Sequence, residues 1–169
     1  SFEINTRVNK ISYKLGYNYT INPFGQTAIR GDDPKSYILQ RINYGEQNEF
    51  FASASRAFKT DWWTSRNTFS LKYTNINESG LGFERVAPRL NPYFYTNNQF
   101  TISETVNAEL LFWYLGDNYE GLHRRESIWN LTASVEKTFF DNSLRCRLIA
   151  NDIFHSFIAQ GGYNVAQTE

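Results

Sequence analysis

Methionine is missing from this 169-residue chain and cysteine occurs once, as Cys146. A single thiol can close no intrachain disulfide and build no cysteine-based metal cluster. Long apolar runs are missing too. The longest is the six residues Leu110 to Leu115, where a membrane-spanning helix needs roughly 20. Helical insertion is excluded, so an apolar surface can only come from alternation. Nor is there an excess of charge: 17 Lys and Arg balance 17 Asp and Glu, and nucleic acid is not an expected partner. No charged-then-apolar leader precedes Phe2, which leads us to expect a processed or excised part of a longer protein.

Aromatic residues are abundant, with four Trp, eleven Tyr and fourteen Phe. Such a load favours strands and membrane interfaces over solvated helices. Periodicity agrees. Ile11, Tyr13, Leu15, Tyr17, Tyr19 and Ile21 share one parity against Lys10, Ser12, Lys14, Asn18 and Thr20. Residues 63–74 set Trp63, Phe69, Leu71 and Tyr73 against Arg66, Thr68, Ser70 and Lys72. Residues 105–114 and 127–139 repeat the rule with Val106, Leu110, Phe112 and Tyr114, then Trp129, Leu131, Val135 and Phe139. Segments 1–7, 36–58, 93–102 and 144–154 alternate less cleanly, the second reading as one strand bent at Gly45. About eight strands are expected. All four prolines and eight of the ten glycines fall between these segments, where a lost donor or an unusual dihedral does least harm.

The connections alternate in length. Short ones at 8–9, 60–61, 103–104 and 141–142 are interleaved with long ones at 22–35, 75–92 and 115–126. Tight turns at one end of a sheet and long loops at the other are the pattern of an outer-membrane barrel. Aromatics beside the tight turns (Trp62, Trp63, Phe139, Phe140) and near the opposite strand ends (Tyr17, Tyr19, Tyr73, Trp113, Tyr114, Trp129) predict two interfacial girdles. Arg or Lys on a lipid face costs roughly 2 to 4 kcal/mol, so Lys14, Arg66, Lys72, Glu109, Glu136, Arg145 and Arg147 mark the inward parity. The expected fold is all-β, antiparallel and up-and-down, a fragment of a transmembrane barrel.

Four pieces of wording then occur in order: Asp61-Trp62-Trp63 before a strand, Tyr119-Glu120-Gly121, Val135 to Phe140 (VEKTFF), and Leu148 to Phe154 (LIANDIF). With Tyr37 to Phe50 before them, they resemble the C-terminal barrel strands of TonB-dependent outer-membrane receptors, most closely the Bacteroidetes-type outer-membrane β-barrel group. The resemblance implies a parent barrel of about 22 strands around an N-terminal plug. Residues 1–169 would be a single barrel segment without plug, energy-coupling box or final strand. It further implies an energy-coupled importer of a glycan, peptide or metal chelate in the bacterial outer membrane. Its partners would be outer-membrane lipid, the plug domain and an energy-coupling protein. The rival is a secreted or periplasmic soluble β-domain that binds ligand through its long loops.

The residues offer little catalytic chemistry. Histidine appears only as His123 and His155, and His123 with Asp117 or Glu120 is the one grouping resembling a hydrolytic site, so no enzyme is expected. No metal site or cofactor is expected either, since no two-His spacing or carboxylate run is present. Arg30-Gly31-Asp32 is a three-letter chance match to an adhesion motif. The ligand-binding candidates are loop residues. Arg85, Arg89, His123, Arg124 and Arg125 could form a cationic rim, and Phe24, Phe83 and Tyr119 could stack on ring-bearing ligands. Strands excised from a larger barrel leave two edges, so the chain is expected to close on itself, to pair with a copy, or to fold over its aromatic face.

Overall fold

A computed structural model describes residues 1–30, 32–33, 35–43, 45–77, 89–120, 123–141, 143–158, 160–163 and 165–166. In chain order the strands among them are β1 (Phe2–Val8), β2 (Ile11–Ile21), β3 (Phe24–Arg30), β4 (Tyr37–Asn43), β5 (Glu46–Lys59), β6 (Trp63–Asn77), β7 (Arg89–Ser103), β8 (Val106–Leu115), β9 (Asn118–Glu120), β10 (His123–Arg125), β11 (Ile128–Phe139), β12 (Leu144–Ala150), β13 (Gly161–Tyr163) and β14 (Val165–Ala166). Eight of them form one sheet in the order β1-β2-β5-β6-β7-β8-β11-β12, antiparallel throughout. The fold is all-β and up-and-down.

All four tight turns lie at one end. Asn9 and Lys10 take φ of 50° and 64° between paired Val8 and Ile11, the left-handed pair that a two-residue hairpin demands. Thr60 closes the second turn by accepting the Trp63 N–H on its Oγ1. Glu104 and Thr105 lie between paired Ser103 and Val106. Phe140 and Asp141, with φ of 52° and 47°, begin the fourth.

The long connections are less loop-like than expected. Ile21 lies opposite Glu46, and Phe24 lies opposite Asn43. A step of three positions on one side, from 21 to 24, is thus matched by a step of three on the other, from 46 to 43, and β3 and β4 continue the β2–β5 hairpin in unbroken register past a kink. At that kink Asn22 adopts φ 51° and donates its N–H to Gly45 O. The expected single strand over 36–58 is therefore two, divided at 44–45, and residues 24–30 are strand. Leu115 opposite Ile128 and Asn118 opposite Arg125 show the same continuation from β8–β11 into β9–β10. The middle of the 75–92 connection lies outside the described residues.

Pro92 also departs from expectation, because it lies within β7 opposite Leu71. Its carbonyl accepts the Gly116 N–H, so the missing donor faces the side on which β8 has already ended, and no ladder bond is lost. A Cβ on Gly116 would come within 2.5 Å of Pro92 Cδ, which keeps that crossing to glycine. The 144–154 segment shortens to β12. Asp152 (φ 48°) caps a turn by accepting the N–H groups of Ser156 and Phe157, and Ile153 N–H binds Leu131 O. That displacement is the exit from the apolar band that Asp152's parity predicts.

Antiparallel partners share a face, and the registers separate most apolar side chains from the charged ones, with Arg56 and Lys137 on the apolar parity as exceptions. Trp63, Phe69, Leu71, Leu110, Phe112, Leu131 and Val135 lie on one surface, with Arg66, Lys72, Glu109 and Glu136 on the other. The apolar face is bare: Phe69 is 47%, Val135 49% and Leu148 79% exposed, while Ser134 on the polar face is 7% exposed. This inverts a soluble domain. From Trp63 to Tyr73 β6 advances ten residues, about 33 Å of strand, or about 25 Å of height at a tilt of roughly 40°, the thickness of a barrel's apolar band.

Aromatic contacts mark both rims. Phe58 stacks on Trp63 and Trp62 on Phe100 at the turn end, while Tyr17–Phe50 (4.6 Å) and Phe112–Trp129 (5.9 Å) lie toward the other. Trp113 is an exception to the expected girdle. It pairs with Tyr95 and Asn130 on the polar face, its ring set edge-on to Phe157 at 5.6 Å. At the long-connection end β14 runs parallel to β3, bringing the two sides of the strand series together. No ladder joins β1 to β12 among the described residues, however, and both strands are exposed throughout. Among the described residues the eight-stranded sheet is therefore not closed by a ladder, and after Ala150 the chain turns back, with Ile153 N–H bonded to Leu131 O.

Leu131→Arg in bilayer-folded protein should cost about 2 to 4 kcal/mol, the lipid-face penalty, whereas Thr132→Arg on the opposite face should cost far less. Denaturant titration in vesicles measures both, and equal costs would contradict the face assignment.

Candidate functional site

Two of the cationic residues singled out in the long connections, Arg89 and Arg124, converge on one carboxylate. Asp117 follows the last residues of β8, where Gly116 and Pro92 hold the chain against β7. Its Oδ2 accepts from Arg124 Nη2 at 3.0 Å and from Arg89 Nη1 at 3.4 Å, and its Oδ1 accepts the Ser127 N–H at 2.8 Å. Asn91 supports the backbone beneath it. That side chain is 5% exposed and donates its amide hydrogens to Gly116 O (2.7 Å) and Asp117 O (2.9 Å), satisfying both buried donors at once. Strands β7, β8 and β10 and the start of β11 are thereby pinned at a single point.

The hydrogen bond from Arg124 is the main cause holding the Asp117 carboxyl below the usual aspartate range, with the Ser127 N–H and the charge of Arg89 adding to it against partial desolvation. Asp117 therefore stays ionised at neutral pH. Two arginines, Arg89 and Arg124, thus share the Asp117 carboxylate at this end of the sheet.

An outer membrane protein beta-barrel family model matches residues 1–169. The chain belongs to the outer membrane protein beta-barrel family. Among curated proteins and among solved structures, none matches it. Family membership places the protein in the bacterial outer membrane and gives the two faces their surroundings: the apolar face meets lipid, and the polar face lines the interior. The soluble-domain alternative falls with it.

In this barrel Arg89 and Arg124 are brought together by Asp117, and Arg125 and His123 flank Arg124 on β10. His123 packs against Gly161 of β13, where a Cβ would approach its Cε1 to 2.9 Å. Tyr119 is opposite Arg124 on β9, its side chain outside the description. Phe24 is exposed at the start of β3 and has no place in the Asp117 cluster. Phe83 and Arg85 lie outside the described residues. The grouping of His123 with Asp117 gains no support as a hydrolytic pair, because both Asp117 oxygens already accept from the two arginines and Ser127. Among the described residues no three His, Cys, Asp or Glu side chains gather as a metal site.

The sequence offered Asp117 only as a partner for His123 and drew no attention to Asn91 or Ser127. A signal was available in the Gly116-Asp117 step directly after a strand, which commonly marks a turn whose aspartate caps nearby N–H groups. It identifies no partner across β7.

Asp117→Asn should loosen the 116–127 connection, raising its proteolysis rate severalfold without altering the sheet's far-ultraviolet circular dichroism. The pH dependence follows from the sign of the shift. A carboxyl whose folded-state pKa is depressed contributes stability above its unfolded value, and that contribution disappears as pH falls through the folded one. In wild-type protein the connection should become protease-sensitive only below the ordinary aspartate range, and Asp117→Asn should abolish this acid step.

Proposed function

We propose that this chain is the barrel portion of an energy-coupled receptor of the TonB-dependent kind, importing a nutrient such as a glycan, peptide or metal chelate. Its partners in the parent protein would be a plug domain and an energy-coupling protein, and the chain itself would carry no catalytic centre. The observation that carries the reading is the position of the Asp117 cluster. Arg89 opens β7 on the polar face, in register with Thr74, so a ligand caught by Arg89 and Arg124 at the rim stands at the mouth of a polar-lined interior. Below it, that lining consists of paired charges: Glu49 with Lys72 (3.2 Å), Glu109 with Arg147 (2.6 Å) and Glu136 with Arg145 (3.4 Å). Such pairs suit a surface facing water or another protein domain, and the wording around Trp62-Trp63 and Leu148 to Phe154 supports the same family of receptors.

Uptake by cells expressing the parent protein tests the reading. Transport of the cognate solute should stop when the proton-motive force is collapsed or the energy-coupling protein deleted. For a ligand with an anionic group, Arg89→Ala with Arg124→Ala should weaken binding on the order of tenfold, about 1.4 kcal/mol. Uptake that continues unchanged after uncoupling would identify a passive pore, and turnover of the solute by purified barrel would identify an enzyme.

A further inference from the structure

The polar face carries a second cationic cluster, at the tight-turn end and away from the Asp117 rim. Arg7, Ser12, Ser55 and Thr68 form one cross-strand row over β1, β2, β5 and β6, and Ala57 with Arg66 forms part of the next row toward the turns. With Lys10 they line a cavity of about 350 Å³, to which Arg56, its guanidinium over the Phe58 ring, and Asn67 contribute from the apolar parity. It exists because the positions between the long cationic side chains are occupied by serine, threonine and alanine.

Charge accounting separates this pocket from the rest of the face. Glu3 pairs with Lys14 at 2.9 Å, Glu49 with Lys72, Glu109 with Arg147, and Glu136 with Arg145. Each strand carboxylate on the polar face thus has its own cation. Arg7, Lys10 and Arg66 enter none of these pairs. Among the described residues no carboxylate lies within ion-pair distance of them, Asp61 in the neighbouring turn included. Three like charges converging on one concavity repel one another, and an anionic occupant relieves that repulsion.

We infer that this pocket is a docking site for an extended acidic peptide segment inside the barrel. Arg7 and Arg66 lie three strand spacings apart, about 14 Å, and an extended peptide advances about 6.7 Å every second residue. Carboxylates four residues apart on one extended segment, about 13 Å, therefore match the separation of the two strands that carry the arginines. The Ser12, Ser55 and Thr68 hydroxyls remain between them for the segment's backbone, and arginine offers its fork to each carboxylate. This goes beyond the import reading and does not rest on it, since it requires only the polar face and its unmatched cations.

The test uses the full chain in detergent or nanodiscs and three probes: a short peptide with glutamate at alternating positions, its lysine counterpart, and inorganic phosphate. The glutamate peptide should bind, more weakly as salt rises, and the lysine peptide should not. Arg7→Gln with Arg66→Gln should lower its affinity at least about tenfold, while Lys35→Glu at the opposite end should leave it unchanged. Circular dichroism and heat-modifiable mobility establish that the variants fold, and Arg66→Gln alone serves if the double variant does not. Equal binding of both peptides, or unchanged affinity in the glutamine variants, would overturn the proposal. Phosphate displacing the glutamate peptide at equal concentration would overturn it in favour of a small-oxyanion site.

Discussion

In lipid a backbone N–H or C=O has no water to bond, so each must find its partner within the protein. The eight long strands meet that demand with antiparallel ladders from each strand to the next. Because opposed residues share a face, a correct register carries the alternation of one strand to its neighbours: Phe69 meets Phe94, Phe94 meets Tyr114, and Tyr114 meets Trp129. A one-residue slip would move that row from lipid to interior. Irregularities are accordingly confined to strand ends. The bulge between Thr101 and Ser103 comes two residues before β8, where little ladder remains to be reversed. The kink at Asn22 and Gly45 falls where the sheet leaves the apolar band, and the pairing beyond it resumes in the same register.

The part of the fold set by period two could be read from the sequence, since parity alone identifies a buried or lipid-facing stripe. The main strands, the four tight turns, the alternation of connection length and the membership of each face all follow from it. The strand extensions were hidden for a physical reason. Beyond the bilayer both faces of a hairpin are wet, so Phe24 to Arg30 and Asn118 to Glu120 carry no sustained contrast between alternate positions. Trp113 was misplaced in the girdle because its run, Leu110 to Leu115, is apolar on both parities. Pro92 misled because a proline's cost depends on which side of the strand needs a donor, and the sequence does not show where a neighbour ends.

The rim cluster was half legible. Composition showed that Arg89, Arg124 and Arg125 are cationic residues in long connections, but their convergence depends on β7 and β10 meeting across Asp117. Asn91 has a role only because Gly116 O and Asp117 O both come within reach of its amide. Such a contact joins residues far apart in sequence, and no local pattern encodes it. Gly161 of β13 belongs to the same class: it permits a strand to lie close against His123 and Arg124, where a Cβ would approach Arg124 O to 2.4 Å.

A net charge of zero conceals how differently the two ends of the polar face are arranged. Exposed ion pairs across a sheet are worth only about 0 to 1 kcal/mol each, so the pairs through its middle add little to stability. Their effect is instead to cancel the field there, leaving potential where cancellation fails. At the rim, Asp117 offsets part of the charge of Arg89 and Arg124 and stiffens the connection that presents them. At the tight-turn end the cations around Ser12 and Ser55 have no comparable carboxylate among the described residues. In the reading proposed above, an anion inside the barrel would meet the rim cluster and the tight-turn pocket as two stations separated by a stretch of wall whose charges cancel.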